Sequence, residues 1–124
     1  MEKAGGLSLC ISTGARAASE IVKKCVMFAE AVKRLSKGKI TYTAGYDHVA
    51  FSTGSRVMSL PSSCDGASLR GYSARCVAID EAGFIPHLED ILQAIAPALT
   101  RDKDAVLLLA STPSGKNSAF WRMF

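Results

Sequence analysis

The sequence predicts an α/β fold with a mainly parallel sheet, and three observations carry the prediction. Leu7–Ser12, Cys76–Ile79 and Ala105–Ala110 are short, strand-like, predominantly apolar runs. Runs of this kind suit strands buried on both faces, the usual condition in a parallel sheet. Each is followed by a helical pattern, the succession expected of β-α units. Two of the three runs end in polar residues, Asp80-Glu81 and Ser111-Thr112. In open α/β sheets ligands sit outside the carboxyl ends of the strands, so both ends should face one crevice.

The elements follow in order. After Leu7–Ser12, Thr13-Gly14 turns the chain. From about Ala15 to Ser36 the apolar residues Ala18, Ile21, Val22, Cys25, Phe28, Ala29, Val32 and Leu35 form the stripe of an amphipathic helix. Arg16, Lys23, Lys24, Glu30, Lys33, Arg34 and Lys37 lie mostly off that stripe, as a solvated face or, in the alternative, a DNA surface. Gly38 is placed to end the helix as a left-handed cap. Ile40–Thr43, His48–Ser52 and Arg56–Leu60 are short β-rich runs, the last two joined by Thr53-Gly54-Ser55 in a hairpin. A loop spans Pro61 to Gly66 by composition. Beyond Glu81, Pro86 marks a helix start, Glu89-Asp90 complement the helix dipole, and Pro97 should kink that helix or end it near its last turn. Ser118–Phe124 reads as the first turns of another helix.

Composition narrows the class. With 124 residues, 48% hydrophobic and 21% charged, the chain is long enough for one domain with a real core and is not of disordered type. A net charge of +4 permits a polyanion partner without demanding one. No apolar run approaches a membrane span, and no secretory signal is visible. Cys10, Cys25, Cys64 and Cys76 lack Cys-x-x-Cys spacing, and His48 and His87 are not near a cysteine cluster, which argues against zinc. Free thiols of a reducing compartment account for them better, giving a cytosolic protein.

The chemistry centres on Asp80-Glu81. An apolar strand ending in two adjacent carboxylates places one to hold a hydrated Mg²⁺ and the next to orient a water. The plain alternative is that they begin a loop or cap the following helix. A P-loop nucleotidase also needs G-x-x-x-x-G-K-S/T between a strand and a helix. Nothing in the chain satisfies it: Gly115-Lys116 is followed by Asn117, with Ala110 where the first glycine should stand, and Gly38-Lys39 is followed by Ile40.

Three segments in order, Leu69-Arg70-Gly71-Tyr72-Ser73, Val77-Ala78-Ile79-Asp80-Glu81-Ala82 and Leu108-Leu109-Ala110-Ser111-Thr112-Pro113-Ser114-Gly115-Lys116, resemble the ATPase domain of the large terminase subunit of tailed bacteriophages. Leu9–Thr13 with the following helix is similar to the segment just downstream of that family's P-loop, and the hairpin with Gly54-Ser55 also fits. The resemblance covers nearly the whole chain. It implies a three-layer P-loop NTPase fold of the ASCE type, in a motor that couples ATP hydrolysis to packaging of double-stranded DNA into a procapsid, in the bacterial cytoplasm.

By that resemblance Asp80 matches the Mg²⁺-associated Walker B aspartate and Glu81 the glutamate that activates water. Ser111 and Thr112, with Pro113, match the motif that senses the γ-phosphate. Arg70 sits where an arginine finger serves a neighbouring subunit. ATP and Mg²⁺ are the implied cofactors, and the portal protein and small terminase subunit the implied partners besides DNA. The P-loop strand would precede residue 1 and a nuclease domain would follow Phe124. Residues 1–124 are thus expected to form a single incomplete ATPase domain, excised or a prophage remnant, that alone binds ATP weakly and turns it over negligibly. In this class the P-loop strand lies beside the third-motif strand, so 105–110 should be an open apolar edge that invites self-association. The competing readings are a helicase-like, non-catalytic DNA-binding module using helix 15–37, and an inert structural domain.

Overall fold

The computed structural model describes residues 6–63, 69, 72–113, 115 and 119–123. Six strands, β1 (Leu7–Ser12), β2 (Tyr42–Ala44), β3 (His48–Phe51), β4 (Arg56–Pro61), β5 (Cys76–Asp80) and β6 (Val106–Ala110), form one sheet in the order β2-β3-β4-β1-β5-β6. The β4-β1-β5-β6 half is parallel, and β2 and β3 extend it antiparallel. The expected α/β class with a mainly parallel sheet is therefore present. The β3–β4 hairpin turns through Gly54, whose φ of 93° favours a residue without Cβ.

The strands order the layers. Leu7, Leu9 and Ile11 of β1 and Val77 and Ile79 of β5 point to one face, where Leu88, Ile91, Ala94 and Ile95 of helix α2 (Leu88–Arg101) close the main core. The alternate residues Ser8, Cys10 and Ser12 face the other side. There helix α1 (Ala15–Leu35) lies over β4, β1 and β3, burying Ala18 and packing Val22 and Ala29 against Val49. β1 thus alternates large and small side chains, buried on the first face and half-buried to buried on the second. Small residues let α1 approach that face closely.

β6 departs further from expectation. Val106, Leu107 and Leu108 are 46%, 36% and 55% exposed, so this strand is not buried on both faces. It is the last strand of the sheet, and α1 sits over the opposite half. Among the described residues no further strand pairs with its outer edge.

Helix ends also differ in detail. The chain after α1 turns at Lys37 (φ 55°) before Gly38 (φ 79°), with Gly38 N–H bonding the Lys33 carbonyl at 2.9 Å. The left-handed cap thus begins one residue earlier than predicted, on a lysine. α2 starts at Leu88 rather than Pro86, and it continues past Pro97 to Arg101. Pro97 and Gln93 are both exposed, so water can take the carbonyl that the missing N–H leaves without a partner. A short helix α3 (Ala119–Arg122) ends the described chain. No helix is long and apolar enough to cross a membrane among the described residues.

Cys10, Cys25 and Cys76 are free and half-buried, and Cys64 lies outside the described residues. Burial, followed by the neighbouring Cys25 and Cys76 thiols, pushes the Cys10 pKa up to about 11. Burial raises that of Cys25 as well.

Candidate functional site

β5 carries Asp80 at its carboxyl end, paired in register with Ala110 of β6. The chain then turns sharply. Glu81 adopts φ 53° and ψ 41°, the left-handed region that a side chain with Cβ occupies at a cost of about 1–2 kcal/mol. A 3₁₀ turn, Ala82–Phe84, follows, with Phe84 N–H bonding the Glu81 carbonyl at 2.9 Å. Asp80 Oδ1 accepts the Glu81 N–H at 3.0 Å, which fixes one carboxylate oxygen on the turn. Ala82 is 1% exposed, so the turn is anchored in the core beneath it. Non-glycine residues held in this conformation cluster at functional sites, because a surrounding structure must enforce them.

The end of β6 meets this turn. Ser111 Oγ accepts the Gly83 N–H at 2.9 Å and donates to the Thr112 carbonyl at 2.7 Å. Thr112 Oγ1 donates to Glu81 Oε2 at 3.5 Å. Four of the five predicted site residues, Asp80, Glu81, Ser111 and Thr112, are therefore brought together at one end of two adjacent parallel strands. Arg70 lies outside the described residues, as does Lys116.

The donor set fits a magnesium ion. Asp80 is exposed and offers a hard oxygen at a strand end. Mg²⁺ keeps several of its waters and is commonly held by one or two carboxylates plus substrate phosphates, so a single protein carboxylate suits it and would not suit zinc.

One residue here escaped the sequence reading. Ser12 ends β1, one register step beyond the Ile11–Ile79 pair and so beside Asp80. It is 1% exposed, and its hydroxyl has no hydrogen-bond partner among the described residues. A serine closing an apolar strand carries no sequence signal beyond its polarity. Ser59, on the same face beside Cys10, is orphaned in the same way.

Comparison with known structures bears on this geometry. The ATPase domain of the Thermus phage P74-26 large terminase, in a mutant form, superposes with a TM-score of 0.80 at 19% identity over 97% of this chain. The fold is that of the phage large-terminase ATPase domain. The bacteriophage HK97 large terminase matches at TM-score 0.69 and 16% identity over 93% of the chain, which is 24% of that protein. A large terminase from a thermophilic bacteriophage, solved in complex with ADP, matches at TM-score 0.66 and 12% identity over 97% of the chain and 29% of its own length. No protein-family model matches the sequence. The chain spans 52% of the P74-26 domain, about half of its length.

Proposed function

We propose that this chain is part of the ATPase motor of a phage large terminase, and that the Asp80–Glu81 end of β5 faces a magnesium nucleotide. The supporting observation is the joining of two strand ends by side chains 31 positions apart, Thr112 and Glu81, with Glu81 held in a left-handed turn. In this reading Asp80 holds a hydrated Mg²⁺, which would neutralise phosphate charge. Glu81 accepts a proton from, and orients, the attacking water. Ser111 ties the β6 end to the Gly83 turn, and Thr112 aims the Glu81 carboxylate. A movement of the 111–113 segment would therefore release Glu81, a simple route from phosphate loss to mechanical change.

Arg70 is assigned the arginine finger for a neighbouring subunit, where a guanidinium can neutralise charge on the transferred phosphoryl group. Residues 1–124 form a single incomplete ATPase domain, with the P-loop strand pairing along β6 and a nuclease domain beyond residue 124. ATP and Mg²⁺ are the cofactors. Double-stranded DNA, the portal protein and the small terminase subunit are the partners, in the bacterial cytoplasm.

Mg²⁺-dependent binding of a fluorescent ATP analogue tests the reading, in the chain alone and with an in-frame P-loop segment restored. Weak binding alone, strong binding when restored, and loss with Asp80→Asn are expected. ATP turnover by the chain alone that vanishes in Glu81→Gln would overturn the need for the P-loop. The helicase-like, non-catalytic reading instead predicts DNA binding that is steep in salt and indifferent to Asp80.

A further inference from the structure

The end of the sheet remote from Asp80 holds a cavity of about 320 Å³. Gly6, Gly54, Arg56, Arg75, Arg101 and Asp102 are among the residues that line it. Arg56 opens β4, Arg75 immediately precedes β5, and Arg101 is the last residue of α2. The lining of one cavity thus includes three arginines, two from the amino ends of strands and one from the end of α2, against one aspartate. The five residues of β5, at about 3.3 Å each, put this cavity roughly 15 Å from the Asp80 end.

The central arginine is held in place before any ligand arrives. Arg75 Nε lies 3.3 Å from Asp102 Oδ2. Its stem crosses Gly6 so closely that a Cβ there would sit 2.7 Å from Arg75 Cδ. A guanidinium fixed in this way loses little further freedom when it binds, and its planar fork matches phosphate oxygens.

Structural duties explain two of the three cations. Asp102 pairs with Arg75, and Arg101 complements the carboxyl end of the α2 dipole. Arg56 has no such duty: its side chain is exposed and makes no ion pair among the described residues. With Asp102 as the one carboxylate in the lining, the three arginines leave an excess of positive charge there that an anion would offset.

We infer that the Arg56–Arg75–Arg101 cavity binds a phosphate group, either a phosphodiester of a nucleic-acid backbone or free phosphate. This site is separate from the Asp80–Glu81 end and stands whether or not that end holds a nucleotide.

The test uses the full 124-residue chain and the double variant Arg56→Ala/Arg101→Ala, with Lys33→Ala/Arg34→Ala on α1 as a charge-matched control. Binding of a duplex oligonucleotide is followed by fluorescence anisotropy between about 50 and 200 mM salt. Inorganic phosphate is titrated while the Arg75 Nε–H resonance is observed by NMR. If the ligand is a nucleic-acid backbone, the double variant loses about tenfold in DNA affinity, its salt slope falls by about 2, and the control loses less. If the ligand is free phosphate, DNA binding is alike in all forms, while phosphate saturates the Arg75 signal in the native chain and not in the double variant. Equal DNA losses in the variant and the control, or no change in either, together with no saturable phosphate response at Arg75, would overturn the site.

Discussion

Thr112 Oγ1 donates a hydrogen bond to Glu81 Oε2 across the β5–β6 boundary, at 3.5 Å and so at the outer limit of such a bond. A contact this long adds little to stability, yet it sets the direction of a carboxylate whose backbone is already constrained. Thr112→Val should therefore change the melting temperature by no more than a few degrees (about 0.5 kcal/mol or less). In a form with the P-loop segment restored, it should slow ATP turnover by about tenfold or more. Thermal melts and steady-state hydrolysis on the same preparation separate the two effects.

Glu81 stands in a left-handed conformation that glycine adopts without the Cβ penalty. Glu81→Gly should stabilise the fold by about 0.5–1 kcal/mol, because relief of the strain exceeds the entropy that glycine adds to the unfolded chain. Glu81→Ala keeps the strain and should not stabilise. A site that gains stability when its central carboxylate is removed is what a strained functional turn predicts, and denaturant unfolding of the two variants checks it.

β6 exposes Val106, Leu107 and Leu108 on an edge with no covering strand among the described residues. Such an edge templates pairing with another chain. The chain alone should self-associate with rising concentration, and Leu108→Lys should suppress this, since a charge on an edge strand blocks strand addition. Light scattering across a concentration series decides it. A clean monomer at high concentration in the native chain would remove self-association from the account.

The Cys10 thiol, raised to about 11 against an ordinary 9.0, is protonated and unreactive at neutral pH. Its folded-state pKa lies above the unfolded value, so its contribution to stability is complete below pH 9. That contribution is lost as pH rises through about 11, because the unfolded thiol ionises first. Cys10→Ala should flatten the fall in stability between about pH 9 and 11, measured by urea unfolding at several pH values.

Much of this architecture was legible in the residues. The run at 76–79 announced a central strand because its apolar character is continuous, the run at 7–12 because it is predominantly apolar, and the α1 stripe announced its helix by period. β6 misled because an apolar run signals burial, while exposure depends on which neighbours a strand has, and among the described residues β6 is flanked by β5 on one side only. At Pro97 the sequence predicts a kink or an end near the last turn, and α2 closes one turn later at Arg101. How far a helix runs past a proline depends on whether the orphaned carbonyl can reach water, a tertiary property. The site was half legible. Asp80-Glu81 and Ser111-Thr112 could be singled out by type and position. The left-handed turn at Glu81 and the Gly83–Ser111 bond could not, because both arise from docking two strand ends distant in sequence. Ser12 was invisible for the same reason: only the β1–β5 register puts it beside Asp80.

Pro97 offers a check on the fold that is independent of the site. Pro97→Ala restores the N–H able to bond the Gln93 carbonyl within α2 and should stabilise the chain by about 1 kcal/mol or more. A destabilised variant would mean that the helix does not run through to Arg101, and thermal unfolding reads this directly.

The most direct measurement compares ATP turnover of the chain carrying an in-frame P-loop segment with that of its Glu81→Gln variant, both at saturating Mg²⁺ and nucleotide. The account predicts that nucleotide affinity is retained while turnover falls by about 10²-fold or more, as removal of a base that orients water requires. Equal turnover in the two forms would contradict it, since Glu81 would then have no part in the chemistry.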